Sequence, residues 1–259
     1  MMNKKTAYPV GSLTIAGTPV SEYVIVSTGG EHVGEAARML AEYLEKACGA
    51  YVPVMNRGGY RFPHMIVVGT CEEYEIPAVT DRRNALKNDG VLFYVASDGT
   101  LYINSQSLLG VRYAVSKFLE KFVGVRFLDE ETERILPAES IDIPANLDYS
   151  YSSPLLYRHT DWGIETPLRR KWGLNGEDGV SNRIIGFCHT MHWLTGAPAD
   201  QQPCLSDETV YQKALAGVRQ WIRENPGCRI ISVTQNDTYE RCECEKCKAM
   251  EEAENPSGL

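Results

Sequence analysis

No apolar run in the 259 residues approaches the roughly 18 needed to cross a bilayer, so no segment reads as a membrane span. Basic residues are outnumbered 26 to 34, and a net charge of −8 argues against a nucleic-acid binder. Phosphate-loop spacing is missing: neither Thr28-Gly29-Gly30 nor Gly58-Gly59 leads into the required lysine. There is no G-x-S-x-G elbow, no internal repeat and no low-complexity tract. Eight cysteines are too few for a disulfide scaffold in a chain of this length. The opening MMNKKTAYPVGSLTIAG has a basic tip but neither a sustained apolar core nor a convincing cleavage site. No secretion signal is read. The expected compartment is the cytoplasm, or the periplasm or exterior if the amino terminus was trimmed.

What is present begins with a β-type run at residues 23–27. Val33, Ala36, Ala37, Leu40, Leu44 and Ala47 then recur at three- and four-residue steps, predicting a helix with Gly49 as a left-handed cap. Strands are expected at 51–55 and 65–68, followed by a hairpin, 91–96 and 101–104, turning at Asp98-Gly99. Val111, Val115, Phe118 and Phe122 mark a second helix, stopped by Gly124, after which 125–128 is extended again. The order predicts a mixed sheet with two helices packed on it.

Residues 137–154 are rich in Pro, Ser, Tyr and Asp and read as a connector. The expected organisation is a domain at 1–140, a linker at 141–154 and a second domain at 155–259. In the second, strands are expected at 155–159, 184–189 and 228–233. Residues 168–172 and 175–183 read as helical or irregular. A further helix with Val210, Ala214, Val218 and Trp221 inward starts at a Ser206 cap. Strand, helix, strand, helix, strand is the rhythm of a parallel α/β array.

The most informative stretch is RIISVTQNDTYERCECEKCKAM, residues 229–250. A β-branched run delivers Gln235-Asn236-Asp237 to a strand's carboxyl end, where barrel enzymes place reactive groups. Cys242, Cys244 and Cys247 follow within six positions. Thiolates so spaced can share a tetrahedral ion, with Cys204 the expected fourth ligand and His189 or His192 in reserve. A structural zinc knuckle is the preferred reading. A disulfide through Cys204 and free surface thiols stay open. The remaining cysteines (Cys48, Cys71, Cys188, Cys228) read mostly as small core residues.

Two resemblances follow from these residues. SQSLLGVRYAVSKFLEKFVGVRFLDEETERILP, with Gly110, Tyr113, Ala114, Gly124, Val125, Arg126 and Phe127, resembles the non-catalytic α/β domain preceding the barrel in bacterial α-glucuronidases and β-hexosaminidases. Leu156-Tyr157-Arg158, Ser181-Asn182-Arg183, Gly186-Phe187-Cys188-His189-Thr190, Pro203-Cys204-Leu205-Ser206, Ser232 to Asp237 and the cysteine spacing resemble domain of unknown function 4838, a glycoside-hydrolase-like family. The resemblance implies an α/β chain: a mixed-sheet domain, then an incomplete (truncated) TIM-barrel-like domain, since residues 155–259 are fewer than the about 250 of a full barrel.

Its implied function is the amino-terminal portion of a glycan-degrading enzyme with a carboxylate pair, acting on an oligosaccharide and inactive as this chain alone. Alternatives are a non-catalytic carbohydrate-binding module and a metal-stapled structural module. Asp237 is the candidate catalytic or sugar-orienting carboxylate; the alternative is a turn residue capping the next helix. Arg158, His159, Asp161, His189, His192, Trp193 and Asn236 are candidate substrate contacts. Arg158 would clamp a uronate carboxylate, or else pair with Asp161 or Glu165. The indole would stack on a pyranose.

Overall fold

The computed structural model describes residues 8–27, 29–56, 58–160, 166–175, 184–186 and 188–254. Asp161, Glu165, residues 176–183 and Phe187, singled out above, lie outside them, as does Thr28. The chain divides into two compact units, Met1–Asn175 and Gly176–Leu259.

The first unit contains β1 (Leu13–Ile15), β2 (Thr18–Pro19), β3 (Val24–Val26), α1 (Glu31–Cys48), β4 (Val54–Met55), β5 (Met65–Val68), α2 (Pro77–Ala85), β6 (Val91–Val95) and β7 (Leu101–Ser105). It continues with α3 (Leu108–Phe118), β8 (Val125–Phe127), β9 (Glu133–Ile135), β10 (Ile141–Ile143), β11 (Asp148–Tyr151) and α4 (Thr166–Lys171). Six strands form one mixed sheet, ordered β11-β6-β7-β5-β3-β4. The β3, β4, β5 and β7 pairings are parallel, while β6 lies antiparallel to both its neighbours.

Side-chain alternation explains why this sheet is covered on both faces. Ile25, Ile66, Val68, Phe93, Leu101 and Ile103 point to one side, against Leu40, Leu44, Val111, Val115 and Phe118 of α1 and α3. Val26, Val67, Leu92 and Tyr102 point to the other, against Tyr74, Val79 and Leu86. The strands are therefore apolar at consecutive positions, as parallel strands buried on both faces must be. Phe93 is fully buried, meets Phe118 edge-on at 5.5 Å and stacks on Tyr149 at 5.4 Å.

The expected glycine stops hold. Gly49 ends α1 with φ 73°, and Gly124 (φ 82°) ends the π-helical turn Leu119–Val123 that prolongs α3. The Asp98-Gly99 hairpin forms as read, with Thr100 N–H donating to Asp98 Oδ1 at 3.0 Å.

Three expectations fail here. The stretch read as a connector contains β10, paired in parallel with β1, and β11, the antiparallel edge partner of β6. Residues 155–159 are not a strand; within them Arg158 turns to a buried carboxylate, Asp89. The compact first unit accordingly runs to Asn175, past the expected boundary. Helix α2 was not foreseen, because only Val79 on it is buried.

The second unit contains β12 (Ile184–Ile185), α5 (Met191–Thr195), α6 (Glu208–Glu224), β13 (Ile230–Ile231) and α7 (Glu245–Glu254). β12 and β13 pair in parallel, Ile184 with Ile230 and Ile185 with Ile231. Both strands are shorter than expected, and their isoleucines are half-buried. On α6 Ala214 is buried and Val210, Val218 and Trp221 half-buried, as the helical spacing predicts. Its cap is Asp207 rather than Ser206, with Asp207 Oδ1 accepting from Thr209 N–H at 2.8 Å. Helix α7 buries no residue.

Candidate metal centre and strand-end site

Four sulfurs of the second unit come together. The Sγ atoms of Cys204, Cys242, Cys244 and Cys247 all lie within 4.8 Å of one another. Cys204 Sγ is 3.8 Å from both Cys244 Sγ and Cys247 Sγ. A tetrahedron with metal–sulfur bonds of roughly 2.3 Å has edges of about 3.8 Å. These separations are far beyond a bonded S–S distance of about 2.05 Å. All eight cysteines are free thiols. Of those expected in a core, Cys71 is buried, Cys48 and Cys228 are half-buried, and Cys188 is exposed.

Local structure brings the thiols together. Cys244 immediately precedes α7 and Cys247 lies in its first turn, with the Cys247 N–H 3.4 Å from Cys244 Sγ. Cys204 comes from the turn before α6. Between them stands Ser206, in contact with three sulfurs rather than capping α6. Its Oγ is 3.3 Å from Cys204 Sγ, 3.4 Å from Cys244 Sγ and 3.3 Å from Cys247 Sγ.

The acidities diverge accordingly. Hydrogen bonding to Ser206 and to the Cys247 N–H brings the Cys244 thiol down to about 6. Ser206 also lowers Cys204. The Cys244 N–H pulls Cys242 down, but the surrounding thiols outweigh it and push Cys242 up to about 12. Four neighbouring sulfurs cannot all carry negative charge without a cation among them. A divalent ion removes that conflict.

The candidate substrate contacts of this unit gather at the carboxyl ends of β12 and β13. Thr190 is fully buried and joins the two strand ends. Its Oγ1 donates to Ser232 O at 3.0 Å and accepts from Thr234 N–H at 3.0 Å. The N–H groups of Thr190 and Met191 both reach Thr234 O at 3.1 Å. His189 takes a left-handed backbone, φ 56°, which is uncommon for a residue with a side chain. Its Nδ1 lies 3.1 Å from Gln235 O. Trp193 is 62% exposed beside His192, with ring centroids 4.5 Å apart.

Asn236, 1% exposed, is saturated within the protein. Its Oδ1 accepts from His192 N–H at 2.9 Å and faces His192 Nδ1 at 3.2 Å. Its Nδ2 donates to Gln201 O at 2.8 Å and Pro198 O at 3.3 Å. The backbone of Asn236 is held by both ends of the Gln202 amide, at 3.0 and 2.7 Å. Asn236 therefore positions the strand end, its side-chain amide committed at both ends within the described residues. Asp237, the next residue, is exposed.

Arg158 and His159 belong to the first unit. The Arg158 side chain is 12% exposed, and its Nη2 lies 3.3 Å from Asp89 Oδ2. Its Nε donates to Gly173 O at 2.8 Å, and its Nη1 to Leu155 O at 2.8 Å and Asn88 O at 3.3 Å. Arg158, expected as a uronate clamp, is thus an internal cation that ties Leu155 and Gly173 to Asp89. Asp89, 6% exposed, also accepts from Ser107 Oγ and Asn175 Nδ2, each at 2.8 Å. The His159 ring is half-buried against Tyr157, 5.8 Å between centroids. Asp161 lies outside the described residues.

The second unit is thus an α/β segment with a four-thiol cluster beside two parallel strand ends. Residues 189–258, which include all four of those cysteines, match the family model described as "Domain of unknown function (DUF4838)". No curated protein matches the chain. Among solved structures, the chain is similar at 18% identity and a TM-score of 0.39 to BtGH115A, a family GH115 4-O-methyl-α-glucuronidase with specificity for decorated arabinogalactans. The overlap covers 52% of this chain and 18% of that one, and a likeness of that extent defines no common fold.

Proposed function

We propose that the chain is part of a glycoside-hydrolase-like, glycan-active protein whose second unit holds a structural zinc ion and opens a (β/α)₈-like barrel. The observation that carries the zinc assignment is the sulfur quartet, all within 4.8 Å of one another, with both edges from Cys204 to Cys244 and Cys247 at 3.8 Å. All-sulfur tetrahedral coordination is the habit of structural zinc, with no open position for substrate. Zinc would fix α7 and the segment after β13 to the turn before α6. Helix α7 needs such a fastening. It has ten residues and none is buried, whereas isolated helices below about 12–15 residues are marginal in water.

The glycan reading is supported by where the polar and aromatic groups gather. His189, His192, Trp193 and Asp237 follow the carboxyl ends of two parallel strands, the end at which barrel enzymes build their sites. The half-buried isoleucines of β12 and β13 fit strands that further β/α units would cover, because parallel sheets are normally buried on both faces. Asp237 is the candidate acid, base or hydroxyl-orienting group. A hydrolase needs a second carboxylate roughly 5–9 Å away, which the remaining barrel strands would supply.

A non-catalytic saccharide-binding role is the second reading, favoured by the exposed indole of Trp193. Isothermal titration with an oligosaccharide panel, paired with hydrolysis assays on the chain and on Asp237→Asn in a longer gene product, separates the two. Binding without turnover by this chain, and turnover lost in the longer Asp237→Asn variant, is the expected result. Failure to bind any member of the panel would overturn the glycan reading.

A further inference from the structure

In their neutral form the two histidines at the strand ends commit Nδ1 to an internal oxygen, which leaves Nε2 as an acceptor for a ligand. Neutral imidazole carries its proton on one nitrogen and a lone pair on the other, and the partner of one nitrogen decides which. His189 Nδ1 faces Gln235 O at 3.1 Å. A carbonyl oxygen only accepts, so Nδ1 holds the proton and Nε2 holds the lone pair.

For His192 the argument has one more step. Its Nδ1 faces Asn236 Oδ1 at 3.2 Å, and which end of the Asn236 amide lies there is set by other contacts. The Nδ2 end is placed against two carbonyls, Gln201 O at 2.8 Å and Pro198 O at 3.3 Å, neither of which can donate. The backbone N–H of His192 also needs an acceptor at the same Asn236 atom, 2.9 Å away. The amide therefore presents oxygen to His192, whose Nδ1 must donate. Neither Nε2 has a partner among the described residues.

From this arrangement we propose that His189 and His192 each present an Nε2 acceptor to hydroxyl donors of a polyhydroxylated ligand, with the exposed indole of Trp193 beside His192 as an apolar contact. The ligand class follows from polarity. A group offering only acceptors would meet two lone pairs and be repelled, whereas the hydroxyls of a pyranose donate to both. The half-buried rings keep Nε2 reachable. The fixed backbone around Thr190 and Asn236 prevents either ring from turning to the opposite tautomer without losing its inner hydrogen bond. This proposal rests on the saccharide reading but makes a claim about tautomers that can fail separately.

The test is ¹⁵N-histidine labelling of the full chain. Long-range ¹H–¹⁵N spectra are recorded above the titration range of imidazole, and the five histidines are assigned with His189→Gln and His192→Gln. Protonated Nδ1 and bare Nε2 are expected for both rings, the reverse of the tautomer free histidine prefers. Methyl pyranosides of glucose, xylose, galactose and glucuronic acid are then added, alongside a permethylated glucoside that has no donor. The free-hydroxyl sugars should shift both Nε2 signals and the Trp193 indole signal, and the permethylated sugar should not. Each Gln variant should bind roughly 3–10-fold more weakly.

Nε2-protonated rings, or equal binding of the permethylated sugar, would overturn the acceptor pair while leaving saccharide binding intact. Silence of the histidine and Trp193 signals towards every sugar would overturn both.

Discussion

Replacing Cys247 with serine removes one corner of the sulfur tetrahedron and leaves the apolar interior untouched, since α7 buries nothing. With the metal present at about a thousand times its dissociation constant, binding stabilises the folded form by about 4.1 kcal/mol. A domain in this size class shifts its midpoint by about 4–8 °C per kcal/mol, so the second unit should melt more than about 10 °C higher with zinc than after chelation. In Cys247→Ser that difference should collapse. Serine is a poor thiolate substitute, so its affinity loss should exceed the roughly 10–100-fold cost of removing an outer contact. Ser206→Ala supplies that comparison, because Ser206 touches three sulfurs without replacing any. Elemental analysis of wild-type protein should return one zinc per four clustered thiols. Cobalt substitution should give the intense charge-transfer bands of tetrahedral thiolate, absent in Cys247→Ser. Wild-type protein that takes up no zinc and melts identically with and without chelator would refute the assignment.

Asp89→Asn leaves the Arg158 guanidinium buried against a neutral group and should cost about 3–5 kcal/mol by urea denaturation, with an unchanged slope. Phe93→Ala empties the centre of the first unit's aromatic cluster and should cost about 3–5 kcal/mol in the same assay. Trp193→Ala should leave the unfolding free energy unchanged within about 0.5 kcal/mol while abolishing saccharide binding by calorimetry, because the indole is 62% exposed. The Arg82 guanidinium holds the Asp148 carboxyl below its ordinary value of 3.8. A depressed carboxyl adds stability that is full above the unfolded value and lost as pH falls through the folded one. Acid titration of Asp148→Asn should therefore show a shallower loss than wild type below about pH 4, by no more than the about 1 kcal/mol of an exposed pair.

Where local chemistry decided the structure, the residues could be read directly. Helix α1 with its glycine stop, the Asp98-Gly99 hairpin and the α6 face each follow from spacing within one element. The cysteine quartet was also legible, Cys204 included, because thiolate geometry restricts which residues can complete a set of three. Pairings across long separations could not be read. β10 joins β1 across some 128 residues, and only Ile143 of its three residues is buried. β11, with the sequence Asp-Tyr-Ser-Tyr, is polar because it is an edge strand with an outward face. Arg158 looked like a ligand clamp because its partner, Asp89, is 69 positions away. Ser206 looked like a cap because nothing in the sequence revealed that it would be surrounded by sulfur.

The hydroxyl of Thr190 donates to one strand-end carbonyl and accepts from a neighbouring amide at the same time. Only an alcohol can do both in so small a volume. Valine, which matches its shape, would orphan two backbone groups in the dark between the strands, whereas serine would serve nearly as well. The platform that presents both imidazoles thus leans on a single oxygen atom, which serine could supply and valine could not.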